Sequence, residues 1–191
     1  MDYLIVGFSW VVYLAVHSLL ASTAIKKTVR EKAGWFWPFY RFFYSVVSIV
    51  GLLWIFLILA TTPSHTLFDP PGYLRYIGMI FASWGVILMV VSFRYLSGLQ
   101  FMGIKKPKTG ELVTKGLHAF VRHPLYSGNI LMLVGLILNH PTDMLLLSTF
   151  IIFAYFPIGI YFEEKKLVEE FGEAYVEYSR EVPAIFPKIR L

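Results

Sequence analysis

Two short polar motifs in an otherwise apolar chain carry side chains that can bind and position a charged small molecule. Residues 116–128 read GLHAFVRHPLYSG, and residues 163–175 read EEKKLVEEFGEAY. Between them lie two apolar runs, at about 125–138 and 144–162, joined by the turn-forming Asn139, His140, Pro141, Thr142 and Asp143. A hairpin of this kind returns the chain to the side it left, so Arg122, His123, Tyr126, Glu163 and Glu164 are expected to meet at one membrane surface.

Each of these residue types suits a particular task. Pro124 lacks an amide hydrogen and biases His123 toward extended backbone, which fits a helix starting with proline in its first turn. The free amides of such a start, together with Arg122, suit a carboxylate; a basic anchor at the headgroups followed by a helix uses the same residues. Tyr126 stands about one turn in, and Gly128 and Gly135 allow another helix or a flat ligand close approach. Glu163 and Glu164 fall at the end of the next apolar run, where adjacent carboxylates at a helix terminus oppose the dipole and each other. Ion pairing with Lys165, Lys166 or Arg122 is one way to hold them, and accepting hydrogen bonds from ribose hydroxyls or a ligand ammonium is another.

His17 and Ser18 interrupt an apolar run, which marks them either as functional or as a hydrogen-bonded link between helices. His118 serves loop support or ligand contact. His65, Asp69 and His140 fall on the opposite side and read as solvated. His123, Glu163 and Glu164 can converge, yet there is no HExxH and no histidine pair at helical spacing, so no metal is expected. GxSxG, GxGxxG and the phosphate-binding loop are absent from the sequence.

The elements that must position these residues lie in a membrane. With 57% hydrophobic residues and 18% aromatics, and a mean hydropathy of +0.65, the 191 residues hold more apolar surface than a soluble domain of that size buries. The chain reads as an all-α polytopic membrane protein with about five transmembrane helices. Four runs approach the required length, at about 3–21, 42–60, 77–93 and 144–162, with a shorter one at about 125–138. The first has no basic segment before it and no small-residue cleavage site after it, so it reads as a retained helix rather than a secretory signal. Of the 17 lysines and arginines, all but Arg75 fall on one side of these spans. The positive-inside rule makes that side cytoplasmic, with the N-terminus outside and the C-terminus inside.

The net charge of +5 thus follows topology and attraction to anionic headgroups, and nucleic acid is not an expected partner. No cysteine is present, which removes disulfides, thiolate metal sites and cysteine nucleophiles. Without repeats or low-complexity linkers, residues 1–191 read as one membrane domain whose pocket lies mainly in 94–191. The outer loop, about 61–75, is broken by Pro63, Pro70, Pro71 and Gly72. The inner loop, about 94–123, contains a turn at Lys108, Thr109, Gly110 and Glu111. Beyond Phe162, Leu167, Val168, Phe171, Ala174, Tyr175 and Tyr178 recur at helical spacing. They predict one amphipathic interfacial helix running through Gly172 and ended by Pro183, with Ile185 and Phe186 tucked back against the domain.

These motifs resemble the membrane methyltransferases of the isoprenylcysteine carboxyl methyltransferase and phospholipid methyltransferase superfamily. The likeness rests on GLHAFVRHPLYSG, the EE pair after the next span and the tail FGEAYVEYSREVPAIFP, in order over about the last ninety residues. HSLLAS at 17–22 and YRFFYS at 40–45 resemble the NnrU-like and thiol S-methyltransferase branch. The resemblance implies an S-adenosylmethionine pocket with contacts from Leu117, His118, His123, Pro124, Tyr126, Glu163 and Glu164. It makes Arg122 and Glu164 the catalytic candidates, with Arg122 either holding the methionine carboxylate or orienting the acceptor. A small or lipophilic methyl acceptor, arriving from membrane lipid, is expected near His17, Ser18, Arg122 and Asn129. A sulfonium donor needs little acid–base help, so such a site acts mainly by alignment in a water-poor space. A thiol, a prenylcysteine carboxylate and a phospholipid amine are all admissible acceptors.

Two other families bear on the reading. Membrane ene-reductases of the sterol reductase type use NADPH and typically read RHPNY, where this chain has Leu125 in place of the asparagine and Tyr175 in place of a tail tryptophan. An NnrU-type accessory protein of nitrogen-oxide metabolism would need no methyl donor.

Overall fold

The computed structural model describes residues 1–95 and 112–188. The turn expected at Lys108 to Glu111, and most of the inner loop around it, lie outside the described residues. The described chain is helical: α1 (Asp2–Ala21), α2 (Thr23–Lys32), α3 (Trp37–Thr61), α4 (Gly72–Tyr95), α5 (Pro124–Asn139), α6 (Asp143–Phe171) and α7 (Glu173–Glu181), with a 3-10 turn at Gly116–Ala119. Among the described residues the only extended pairing is an isolated bridge between Thr66 and Thr142.

The all-α polytopic expectation holds. Helices α1, α3, α4 and α6 are long and apolar enough to cross a bilayer, and large side chains such as Leu4, Phe8, Leu53, Trp54, Phe56 and Phe150 face outward. The shorter fifth run is α5, whose 16 residues at 1.5 Å per residue reach less far than the roughly 30 Å hydrocarbon core.

The chain divides into two compact units. The first takes residues 1–65 and 143–152, that is α1, α2, α3 and the first turns of α6. Its core is Val6, Trp10, Ile55 and Met144, flanked by Tyr13, Leu14, Leu52 and Ile58. The Trp10 indole donates to Ser148 Oγ at 3.0 Å, and the Tyr40 hydroxyl donates to the Leu20 carbonyl at 2.7 Å. Asp143 accepts from the Tyr3 hydroxyl at 2.6 Å and from the His65 amide at 3.0 Å. Ser22 ends α1 and starts α2 by accepting from the Ile25 amide, an N-cap that suits its hydroxyl.

The second unit takes residues 66–95, 112–142 and 153–188. Here α4 and α5 pack antiparallel through two pairs of glycines. A Cβ added at Gly78 would lie 2.6 Å from the Gly135 carbonyl oxygen, and one at Gly85 would lie 2.5 Å from that of Gly128. Nothing larger than hydrogen fits at this distance, so these glycines face each other across one helix pair.

Two expectations about the C-terminal part are corrected. α6 does not stop near Phe162 but continues to Phe171, because EEKKLVEEF consists largely of good helix formers. The helix then breaks at Gly172, whose φ of 59° lies in the left-handed region that glycine enters without strain. The predicted single interfacial helix is therefore two segments, the last turns of α6 and the separate α7.

Candidate functional site

The first polar motif folds as a 3-10 turn, a short link and the start of α5. His118 is buried in the turn, its Nδ1 3.2 Å from the Arg122 carbonyl. A carbonyl only accepts, so Nδ1 carries the hydrogen and Nε2 is left as a bare acceptor. That Nε2 is buried with no hydrogen-bond partner among the described residues. Burial pushes the His118 pKa down; the bond to the Arg122 carbonyl works against this, and nearby His123 adds to it.

His123 is the residue that precedes α5, with Pro124 in the first turn. The Arg122 guanidinium donates from Nε and Nη2 to Glu164 Oε1 at 2.9 and 2.5 Å. Its Nη1 donates to the carbonyls of Ser179 at 2.8 Å and Val182 at 2.6 Å. The Ser179 carbonyl would ordinarily pair with the amide of residue 183, but that residue is Pro183 and has none. Arg122 thus supplies the missing donor and places a cation at the negative end of α7.

Glu164 Oε1 also lies 3.1 Å from His123 Nε2, and Glu163 Oε2 lies 3.6 Å from His123 Nδ1. The two glutamates therefore flank one imidazole from successive positions of α6. They sit inside the helix rather than at its end, so the dipole opposition inferred from the sequence does not arise. The Arg122 side chain is 13% exposed and that of Glu164 29%, enough burial for the pair to escape most solvent screening. Glu164 Oε2 accepts from none of the described residues. The His123 ring meets Tyr126 edge to face at 5.7 Å, and Tyr126 meets Phe156 at 5.0 Å. A Cβ at Gly159 would come within 2.9 Å of the Tyr126 hydroxyl, so glycine there makes room for it.

The tail closes over this arrangement. The Arg122 amide donates to the Pro183 carbonyl and the His123 amide to that of Ala184, both at 2.9 Å. Ser127 Oγ donates to the Ile185 carbonyl at 2.6 Å. Ile185 is half-buried as expected, whereas Phe186 is exposed. The Tyr178 hydroxyl donates to the His118 carbonyl at 2.6 Å. Tyr175 is buried beside the ion pair; burial and then the Glu164 carboxylate push its pKa well up, against the pull of Arg122, and its hydroxyl makes no hydrogen bond of good geometry.

Of the residues singled out from sequence, Arg122, His123, Tyr126, Glu163 and Glu164 come together, with His118 joined through the Arg122 backbone. Leu117 contributes its carbonyl to the amides of Phe120 and Val121. Asn129 Oδ1 is buried and unpartnered among the described residues. His17 and Ser18 belong to the first unit, where His17 Nε2 lies 3.0 Å from the Tyr44 hydroxyl and Nδ1 3.1 Å from Ser48 Oγ. Ser18 Oγ donates back to the Leu14 carbonyl. Sequence reasoning missed the placement of Tyr175 and Tyr178 at the cluster, having assigned them to an apolar stripe. It also missed the carbonyls that Arg122 binds, although proline four residues after Ser179 is a readable sign of an unpaired acceptor.

A family model described as NnrU protein matches residues 3–183. Among curated relatives, a methanethiol S-methyltransferase of Pseudomonas sp. (strain GM41(2012)) is 28% identical over 160 residues, 75% of this chain and 57% of the relative. Protein-S-isoprenylcysteine O-methyltransferase B of Arabidopsis thaliana is 31% identical over 113 residues, 58% of this chain and 54% of its own. Protein-S-isoprenylcysteine O-methyltransferase of Schizosaccharomyces pombe is 37% identical over 87 residues, 44% of this chain and 36% of its own. The chain thus spans at most 57% of these relatives. No solved structure matches it significantly.

Proposed function

The chain belongs to the NnrU protein family, and on that premise we propose that it is an S-adenosylmethionine-dependent membrane methyltransferase acting on a small or lipophilic acceptor. The observation that carries this reading is the cluster of Arg122, His123 and Glu164, with His118 tied to the same backbone through Nδ1 and its Nε2 left bare. The names of its relatives, transferases to a thiol sulfur and to an isoprenylcysteine oxygen, support the same class.

The residues present suit such a donor. Two carboxylates with oxygens left over can accept from an ammonium or a ribose diol, and two buried acceptors, His118 Nε2 and Asn129 Oδ1, have no donor among the described residues. Bound there, S-adenosylmethionine would supply an activated methyl group. Glu164 binds through Oε2 while Oε1 is held by Arg122 and His123. Arg122 acts as a positioning residue, since four of its five N–H groups are committed to Glu164 and the end of α7. That makes orientation of Glu164 a better role for it than capture of the methionine carboxylate. Tyr126 and Phe156, edge to face, would form an apolar wall that keeps water from the reacting atoms, and the positive-inside rule supports a donor arriving from the cytoplasm. A thiol is the favoured acceptor, given the branch that the N-terminal half resembles.

The test is calorimetric titration of the detergent-purified protein with S-adenosylmethionine and separately with NADPH. Binding of the first alone, weakened at least about tenfold in Glu164→Gln, is expected for the loss of one charge-assisted hydrogen bond. Binding of NADPH alone would replace this reading with the reductase one, and binding of neither with an accessory role.

A further inference from the structure

We propose that the first unit binds an anionic phospholipid, with one acyl chain in a groove between α1 and α3 and the headgroup against the basic helix α2. A cavity of about 670 Å³ runs between the two helices, lined by Phe8, Val12, Val16, Val50 and Trp54 and ending at His17 and Ser48. His17 and Phe8 are nine residues apart on α1, so the groove is about 14 Å long at 1.5 Å per residue. This is long enough for much of an acyl chain, and the mostly aliphatic and aromatic walls, polar only at Ser9, the Tyr13 hydroxyl and the His17–Ser48 end, suit hydrocarbon better than a polar ligand.

The depth of the groove follows from the residues at its ends. His17 lies four residues before the end of α1, and Tyr44 and Ser48, its hydrogen-bond partners, lie in the second and third turns of α3. Just beyond this polar cluster come Trp35, Phe36, Trp37 and Tyr40, packed ring against ring, which is the aromatic belt of a headgroup layer. The groove therefore descends from the headgroups toward the middle of the bilayer, the direction an acyl chain takes.

Charge selects the headgroup. Between residues 22 and 41 the chain carries Lys26, Lys27, Arg30, Lys32 and Arg41 against Glu31 alone. On α2 the half-buried side chains are Ile25, Lys26 and Val29, while Lys27, Arg30 and Lys32 face outward. Glu31 lies 3.9 Å from Lys27, and Arg30 sits 6.0 Å above the Trp37 ring, which holds its guanidinium at the level of the belt. A phosphodiester carrying a net negative charge meets donors and positive charge there, whereas a zwitterionic headgroup brings a cation that the same patch repels.

The experiment uses the full chain in nanodiscs of phosphatidylglycerol and phosphatidylcholine of equal chain length, mixed in equal amounts. Native mass spectrometry reads the lipid that stays bound after release into mild detergent. The expected result is one retained phosphatidylglycerol per chain, favoured at least about threefold over phosphatidylcholine, a preference that falls as salt is raised. The triple variant Lys27→Gln, Arg30→Gln, Lys32→Gln changes only exposed side chains and should erase the preference while leaving some lipid bound. Val12→Trp fills the groove and should abolish retention of both lipids. Equal retention of the two lipids by the unaltered protein, an unchanged preference in the triple variant or full retention in Val12→Trp would each overturn the proposal.

Discussion

Trp10, His17 and Tyr40 in the first unit each give a polar group to a neighbouring helix or segment, whereas His118, Asn129 and Tyr175 in the second keep polar atoms buried without a well-formed hydrogen bond. Among the described residues of the first unit Thr149 is the exception, with one unpartnered hydroxyl. A buried polar atom left unpaired costs about 1–3 kcal/mol, so three of them in one unit, with His118 and Tyr175 beside the Arg122–Glu164 pair, is an expensive arrangement for structure alone. The contrast is one of degree: the first unit uses nearly all its buried polar groups for fastening, whereas the second fastens with Arg122, Ser127 and Tyr178 and holds others back, as the proposed site requires. The glycines differ in what they face: those between α4 and α5 meet backbone, Gly51 on α3 meets the Tyr13 side chain, and Gly7 on α1 has open space.

The sharpest way to break this comparison is to substitute those glycines. Gly85→Leu or Gly128→Leu should remove monodisperse protein from detergent extracts, a loss of about 3 kcal/mol or more, because the backbone opposite cannot yield. Gly7→Leu should leave the size-exclusion profile unchanged, and equal behaviour of the two would show that close packing does not distinguish the units. Next in size is Arg122→Ala, which strands Glu164 and the carbonyls of Ser179 and Val182 together. A cost of about 3 kcal/mol is expected, seen as a lower melting temperature and faster proteolysis after residue 182. Arg122→Lys should recover only part, since an ammonium cannot reach both acceptors as a planar fork does. In the first unit, His17→Leu removes the hydrogen bonds to Tyr44 and Ser48 between α1 and α3 and should cost about 1–2 kcal/mol.

The smallest effect sharpens the comparison through pH. Burial keeps His118 neutral in the fold, below its ordinary pKa, so the unfolded chain takes up a proton first as pH falls. Stability from this residue is complete above about pH 6.5 and is lost on acidification below it. The melting temperature should drop by about 2–4 °C between pH 7 and 5.5, and this slope should flatten in His118→Asn, which retains a donor toward the Arg122 carbonyl. An unchanged slope would mean that His118 does not carry the response.

Much of this was legible in the sequence, for physical reasons. Proline at position 124 fixes where α5 begins, and the apolar runs fix the hairpin that brings Arg122 to Glu164. The seven-residue spacing of Gly78 and Gly85, and of Gly128 and Gly135, announces close approach, but no spacing names the partner helix. Local propensity hid the end of α6, because a membrane boundary at Phe162 leaves no mark on a helix whose next residues are also helix formers. The carbonyls bound by Arg122 were hidden for a different reason: every residue has one, so the acceptor carries no signature unless a proline removes its usual donor.

The glycine pairs of α4 and α5 also decide how a bilayer-borne molecule travels. With carbonyl oxygens of one helix against the α-carbons of the other, the seam has no width for even a single methylene. Hydrocarbon cannot wedge it open without parting the helices, so this flank is a closed wall. On the proposed reading, an acceptor diffusing in the lipid would have to reach Arg122 and Glu164 around it, and labelled lipids should crosslink to other faces of the second unit before they reach that seam.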